Sequence, residues 1–212
     1  MRNQNVAVFD LTGRVALITG GGSGIGRGCA NILAEAGAAV VIVGRRIDKL
    51  KSVQEEIMKK NGKCAIFAAD LTNEEACKET VAFCVEQFGR LDIVVNSAGG
   101  RGELEKEFLT ENLNHTMSVD FNSAFFVIKY AYPECAKQGV GSIINIASLA
   151  ALSARGPIVY SAAKGAIKSM GKTLAKRLGD KNVRVNTIYP GFILTEMTEG
   201  ILSQPTLVEK FA

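Results

Sequence analysis

The 212-residue sequence has no tryptophan, four prolines and one histidine, His115. A histidine-rich metal site is therefore excluded, and a capping or surface role is expected of His115. The five cysteines (Cys29, Cys64, Cys77, Cys84 and Cys135) show no C-x-x-C spacing. Their odd number, with four in predicted helices and Cys64 opening a strand, fits free thiols in a reducing compartment. No uninterrupted apolar run approaches the ~20 residues of a membrane-spanning helix. Met1 to Asp10 lacks both a basic region and a long apolar stretch, so no signal peptide is read. A soluble, cytoplasmic protein is expected. Lys and Arg number 25 against 21 Asp and Glu, a net charge of +4. Without a basic stripe this gives no reason to expect nucleic acid as a partner. No linker, low-complexity tract or repeat divides the chain, and 47% hydrophobic with 22% charged residues is ordinary for one globular domain spanning 1–212.

What the chain does have is alternation. Short apolar runs near 14–19, 39–43, 64–69, 91–95, 141–147 and 183–188 alternate with segments of helical period. Each connection is then a crossover, which predicts an α/β fold: a parallel sheet covered on both faces. The first run, Arg14 to Thr19, leads into Gly20-Gly21-Gly22-Ser23-Gly24-Ile25-Gly26, and Cys29, Ala30, Ile32, Leu33 and Ala36 then recur at helical spacing until Gly37. Strand, glycine turn and helix make a phosphate site: glycines admit a pyrophosphate close to the backbone, and free N–H groups at the helix start face the anion. The pattern is not G-x-G-x-x-G but a longer loop, Thr19-Gly20-x-x-x-Gly24-x-Gly26.

The second strand ends in Gly44-Arg45-Arg46, where an acid would accept from an adenosine ribose. Two guanidinium groups suit a 2′-phosphate instead, which favours NADP(H), with NAD(H) as the alternative. After the third strand, Asp70 is placed to accept from an adenine amino group, beside Leu71, and Thr72 to cap the following helix. Further on, Tyr160 and Lys164 in Tyr160-Ser161-Ala162-Ala163-Lys164 share one face of a helix, with Ser148 upstream at the end of an apolar run. An ammonium so placed stabilises a phenolate, and a hydroxyl can hold the oxygen of a carbonyl or alcohol.

From about Leu11 to Met197 the chain resembles the short-chain dehydrogenase/reductase family. Its T-G-x-x-x-G-x-G appears as Thr19 to Gly26, its N-N-A-G as Asn96-Ser97-Ala98-Gly99, its serine as Ser148, its Y-x-x-x-K as Tyr160 and Lys164, and its P-G as Pro190-Gly191. The resemblance implies a doubly wound Rossmann fold with strand order 3-2-1-4-5-6. It implies Tyr160 as general acid/base, Lys164 lowering the tyrosine pKa and bonding the nicotinamide ribose, and Ser148 holding the substrate oxygen. Cofactor contacts are implied for Gly20, Ser23, Gly24, Ile25, Gly26, Arg45, Arg46, Asp70, Leu71, Asn96, Ala98, Gly99, Tyr160, Lys164, Ile193 and Thr195, and no metal. The helix near 115–138, carrying Phe121, Phe125 and Phe126, would pack with the Tyr160 helix against a second subunit in a homodimer or homotetramer.

The expected chemistry is the NAD(P)(H)-dependent interconversion of a secondary alcohol and a ketone. Leu149, Ala150, Ala151 and Leu152 suggest an apolar, steroid-like small-molecule substrate. A 3-oxoacyl thioester is the alternative, and a non-catalytic nucleotide-binding protein a second one. Ser97 replaces an asparagine, an adjustment of packing. Asp120 falls where the family has its fourth catalytic residue, an asparagine; a carboxylate there favours a charged Lys164 and opposes phenolate formation. Asn122 points to another helix face, so the fourth role is unassigned. The chain stops at Ala212, within the substrate-covering segment the family has, and before its seventh strand. A longer natural protein is expected.

Overall fold

The computed structural model describes residues 9–102, 104–153 and 156–202, so most of the Met1–Asp10 segment lies outside the described residues. Six parallel strands form one sheet in the order β3-β2-β1-β4-β5-β6. They are β1 (Val15–Thr19), β2 (Ala39–Gly44), β3 (Lys63–Ala68), β4 (Ile93–Asn96), β5 (Gly141–Ile146) and β6 (Val183–Ile188). Between them run α1 (Gly24–Glu35), α2 (Ile47–Met58), α3 (Glu74–Phe88), α4 (Thr110–Met117), α5 (Ser123–Lys137) and α6 (Ile158–Leu178), and α7 (Glu199–Leu202) follows β6.

The sheet is buried on both faces because strand side chains alternate between them. Val15, Leu17, Val41 and Val43 pack with Val81 and Cys84 of α3 and Val127 and Ile128 of α5. Ala16, Ile18, Val40 and Ile42 face the other way, onto Ala30 and Ala34 of α1 and Leu50, Val53 and Ile57 of α2. Truncating a fully buried side chain such as Leu17 costs about 2–5 kcal/mol, so each layer contributes far more than any surface ion pair. The β1–β2 register, Val15 with Ala39 through Thr19 with Val43, brings both strands to the same upper edge.

At the foot of the sheet, Asp92 is 2% exposed. It accepts from the Val15 N–H at 3.0 Å, from Arg14 at 3.0 Å and from Arg90 through two nitrogens at 2.8 and 2.6 Å. Burial pushes its carboxyl up, but the bonds from Arg90, Val15 and Arg14 outweigh that and hold it below the ordinary value.

The helix expected near 115–138 is longer and in two registers. It starts at Thr110, widens into a π-helical turn over Ser118–Asn122, and resumes as α5. The cysteines are free; Cys77, Cys84 and Cys135 are buried, and burial raises these thiols to about 12. Among the described residues no helix is long and apolar enough to cross a membrane, and no group of three acids, cysteines or histidines is placed to hold a metal.

Candidate active site

The chain leaves β1 in one direction to build β2 and β3, then crosses to β4, so a crevice opens above the carboxyl ends of β1 and β4. Thr19 and Asn96 pair across those ends. The Thr19 hydroxyl oxygen accepts from the N–H groups of Ser97 and Ala98, both at 3.0 Å, and pins the β4 loop to the glycine turn. Gly20 is the residue this approach requires. Its φ is +65°, and a Cβ there would lie 2.9 Å from the Ser97 carbonyl oxygen.

The crevice has two arms. One is lined by Arg45, Arg46, Lys49, Asp70, Leu71 and Thr72. The other is lined by Ile25, Ser148, Tyr160, Lys164, Ile193 and Thr195, among others. Gly20, Ser23, Ala98 and Gly99 border both. A long, bipartite ligand fits this shape. At the junction, α1 begins at Gly24 with no acid in its first turn and no side-chain cap from Ser23, so its first N–H groups are open to an anion. These features fit a dinucleotide, whose pyrophosphate would lie at the helix start and whose adenosine end would reach the arginines.

Two of the sequence-predicted contacts stand behind the cleft wall. Gly26 packs against the Gly20 carbonyl, holding helix to turn. Asn96 is 4% exposed and donates to the Asn145 side chain at 2.9 Å, tying β4 to β5. At the adenosine end, Asp70 accepts from both the N–H and the hydroxyl of Thr72, at 3.0 and 2.8 Å. Thr72 does not cap α3. Asn73 does, accepting from Glu75 and Ala76, because the Asp70 turn already occupies the threonine.

In the other arm Ser148 follows β5 in extended conformation, and its oxygen accepts from the Ala150 N–H at 3.1 Å. That bond orients the oxygen and leaves the hydroxyl proton for a substrate. Tyr160 lies in the first turn of α6, whose leading N–H, from Ile158, donates to Glu107 at 3.0 Å. Glu107 thus braces the tyrosine turn, a contact invisible in the sequence. Lys164, one helical turn on, is 4% exposed, with its nitrogen 5.6 Å from the Tyr160 ring centre.

Lys164 is held from behind. Its ammonium donates to the Ile146 carbonyl at 3.3 Å and pairs with Asp120 at 3.0 Å. Asp120 also accepts from the Gly100 N–H, 3.2 Å from each carboxylate oxygen. It is 2% exposed, and burial pushes its carboxyl above the ordinary value although Lys164, Gly100 and His115 pull the other way. The contact is tight: a Cβ on Gly99 would sit 2.6 Å from the Asp120 oxygen. The π-helical turn carries Asp120 into this position, one wide turn at a functional site being a common use of that geometry.

Residues 14–206 match the short chain dehydrogenase family. The chain is 40% identical over 194 residues to a 2,5-dichloro-2,5-cyclohexadiene-1,4-diol dehydrogenase of Sphingobium indicum, covering 90% of this chain and 77% of that protein. It is 36% identical over 193 residues to the 3-oxoacyl-[acyl-carrier-protein] reductase of Thermotoga maritima, covering 90% and 78%. Among solved structures, a 7α-hydroxysteroid dehydrogenase complexed with NADH and 7-oxo glycochenodeoxycholic acid superposes with a TM-score of 0.90 at 33% identity, over 95% of this chain and 79% of that one. The RhlG/NADP active-site complex from Pseudomonas aeruginosa gives 0.88 at 31% identity, over 96% and 82%. The chain belongs to the short-chain dehydrogenase/reductase family, and with it to the oxidoreductases.

Proposed function

We propose that the chain interconverts a secondary alcohol and a ketone, with Tyr160 moving the proton. The observation that carries this reading is the buried Lys164, one turn below Tyr160 and in the same arm as Ser148. When bound, a nicotinamide cofactor supplies the hydride acceptor or donor. Ser148 offers its hydroxyl proton to the substrate oxygen and fixes that oxygen beside the phenol. Tyr160 then donates a proton in reduction and removes one in oxidation. Lys164 supplies positive charge at the phenol and an ammonium for the nicotinamide ribose, while Ile193 and Thr195 wall the carboxamide end. Gly20, Ser23, Gly24, Ile25, Ala98 and Gly99 carry the pyrophosphate and the flanking riboses, and Asp70 and Leu71 the adenine.

NADP(H) is the preferred cofactor in this reading, because Arg45 and Arg46 line the arm where a ribose acid would otherwise stand. Relatives of both habits exist, one solved with NADH and one with NADP. The substrate class is a hydrophobic cyclic alcohol or ketone. Ile193 and Met197, which line the Ser148 arm, are each roughly half exposed, and the diol and hydroxysteroid dehydrogenases are relatives. A 3-oxoacyl thioester is the second reading, favoured by the likeness to the Thermotoga maritima reductase. The test is NADPH oxidation against a panel of cyclic ketones, steroid ketones and an acetoacetyl thioester. Turnover of the ketones above the thioester is expected, and the reverse order transfers the assignment. Tyr160→Phe is expected to abolish turnover with cofactor affinity nearly unchanged; activity retained in that variant removes the acid/base role.

The protein acts as a homo-oligomer in this reading. Phe125 is 47% exposed on α5 and lies against Phe121 and Phe126, an apolar face suited to a second copy. Light scattering of the purified protein checks it, and a monomer at micromolar concentration rejects it.

A further inference from the structure

The cation pair at the adenosine end already holds an anion, and it comes from the opposite side of the cleft. Glu196 lies in the segment after Pro190-Gly191, 150 residues from Arg46 in the chain. One of its oxygens is 2.9 Å from the Arg46 guanidinium and the other 2.6 Å from the Lys49 ammonium. Arg46 also donates to the Ser23 hydroxyl at 3.2 Å, so the cluster sits at the rim of the glycine turn. The segment carrying Glu196 has its own internal frame. Thr195 N–H donates to the Thr198 hydroxyl at 3.0 Å, and that hydroxyl donates to the Ile193 carbonyl at 2.5 Å. The Thr195 methyl packs over Gly24, at the start of α1. The strap therefore crosses the cleft from the catalytic arm, where Ile193 and Thr195 line the wall, to the arginines of the other arm.

A carboxylate bridging two cations at 2.6 and 2.9 Å makes the contacts a terminal phosphate makes. We propose that Glu196 is a specificity-determining residue: its carboxylate occupies the Arg46–Lys49 pair in the absence of a phosphate monoester, and the 2′-phosphate of NADP(H) binds by taking that pair from it. This rests on the reading of the arginine arm as the 2′-phosphate site. Charge decides who wins. A phosphate monoester carries about −1.5 to −2 at neutral pH and three acceptor oxygens, against one negative charge on Glu196. The ion pairs are roughly half exposed on both sides, so each is weak and the exchange is cheap. A neutral ribose hydroxyl displaces nothing, so NAD(H) binds with the strap still tied. Glu196 thus narrows the preference for NADP(H) that the arginines set up, and phosphate binding frees the strap that walls the substrate end.

The test compares the full chain with Glu196→Gln and Arg46→Ala, measuring dissociation constants for NADPH and NADH by nicotinamide fluorescence. With Glu196→Gln, NADPH is expected to bind roughly three- to tenfold tighter and NADH within about twofold of the parent, in line with two exposed ion pairs removed from competition. The NADPH gain is expected to shrink at 0.5 M salt (about a 4 Å screening length), as a surface charge effect must and a folding effect need not. Unchanged NADPH affinity, or an equal gain for both cofactors, overturns the proposal. Arg46→Ala separates the two layers. If it weakens NADPH alone while Glu196→Gln does nothing, the strap proposal fails and the phosphate site stands. If it weakens NADPH and NADH equally, the arginine reading itself falls and the strap goes with it.

Discussion

Two aspartates of this fold are each 2% exposed, and they have opposite electrostatics. Asp92, at the foot of the sheet, is met by two guanidinium groups and a backbone N–H, and its carboxyl is held below the ordinary value. Asp120, at the Tyr160 end of the crevice, is met by one ammonium and one N–H, and burial wins. Asp120 lies deeper in the fold and has fewer charge-assisted donors, so burial wins there, while at Asp92 the donors outweigh it. Asp92 is structural and ties β4 to the start of β1. Asp120 sits where its cost is repaid by holding Lys164 in place under Tyr160.

The comparison breaks most visibly at Asp92. Asp92→Ala leaves Arg14 and Arg90 without their partner and the Val15 N–H without an acceptor, and is expected to cost about 3 kcal/mol. For a domain of this length that is roughly 6–12 °C in thermal midpoint, measurable by calorimetry. Asp120→Asn is expected to move the midpoint of the pH profile of alcohol oxidation toward lower pH, because the Lys164 charge then acts on Tyr160 without a counter-ion. An unmoved midpoint in a variant of normal stability removes the coupling between Asp120 and the phenol.

Acid titration sharpens the contrast. Asp92, with its folded value lowered from 3.8, contributes stability that is present above 3.8 and lost as pH falls through the lowered value. Asp120, raised from 3.8, has the opposite sign: its favourable contribution is present below 3.8 and lost as pH rises through the raised value. Urea midpoints across pH 2–5 are therefore expected to flatten in Asp92→Asn, and to fall more steeply toward acid in Asp120→Asn. The smallest effect is the control: Lys60→Ala removes an exposed pair with Glu35 and is expected to move the thermal midpoint by about 1 °C or less.

The sheet was legible in the sequence because its signals are local. Apolar runs of β-branched residues bounded by glycine mark strands regardless of what they pair with, and the order 3-2-1-4-5-6 that the resemblance implies is the order of the sheet. That Ser148, Tyr160 and Lys164 share one arm of the crevice was legible for the same reason, each standing at a fixed place in its own element. Edges of elements were less so: β4 begins at Ile93 because Leu91 and Asp92 lead in from the foot cluster, and Asn73 rather than Thr72 caps α3. Contacts between distant segments were not legible. Asp120 was suspected near Lys164 by alignment alone, while Glu107 at the start of α6, Lys49 beside Arg46 and Glu196 across the cleft carry no periodic or motif signal. A single acid on a loop reads as solvated until the fold shows what it faces.

The widened turn at Ser118–Asn122 makes the address of Asp120 all-or-nothing. The wide turn holds one residue more than a regular one, so deleting a residue there would restore a regular helix and remove the bulge that presents the carboxylate to Lys164. The reach of the carboxylate to the ammonium thus depends on that one extra residue.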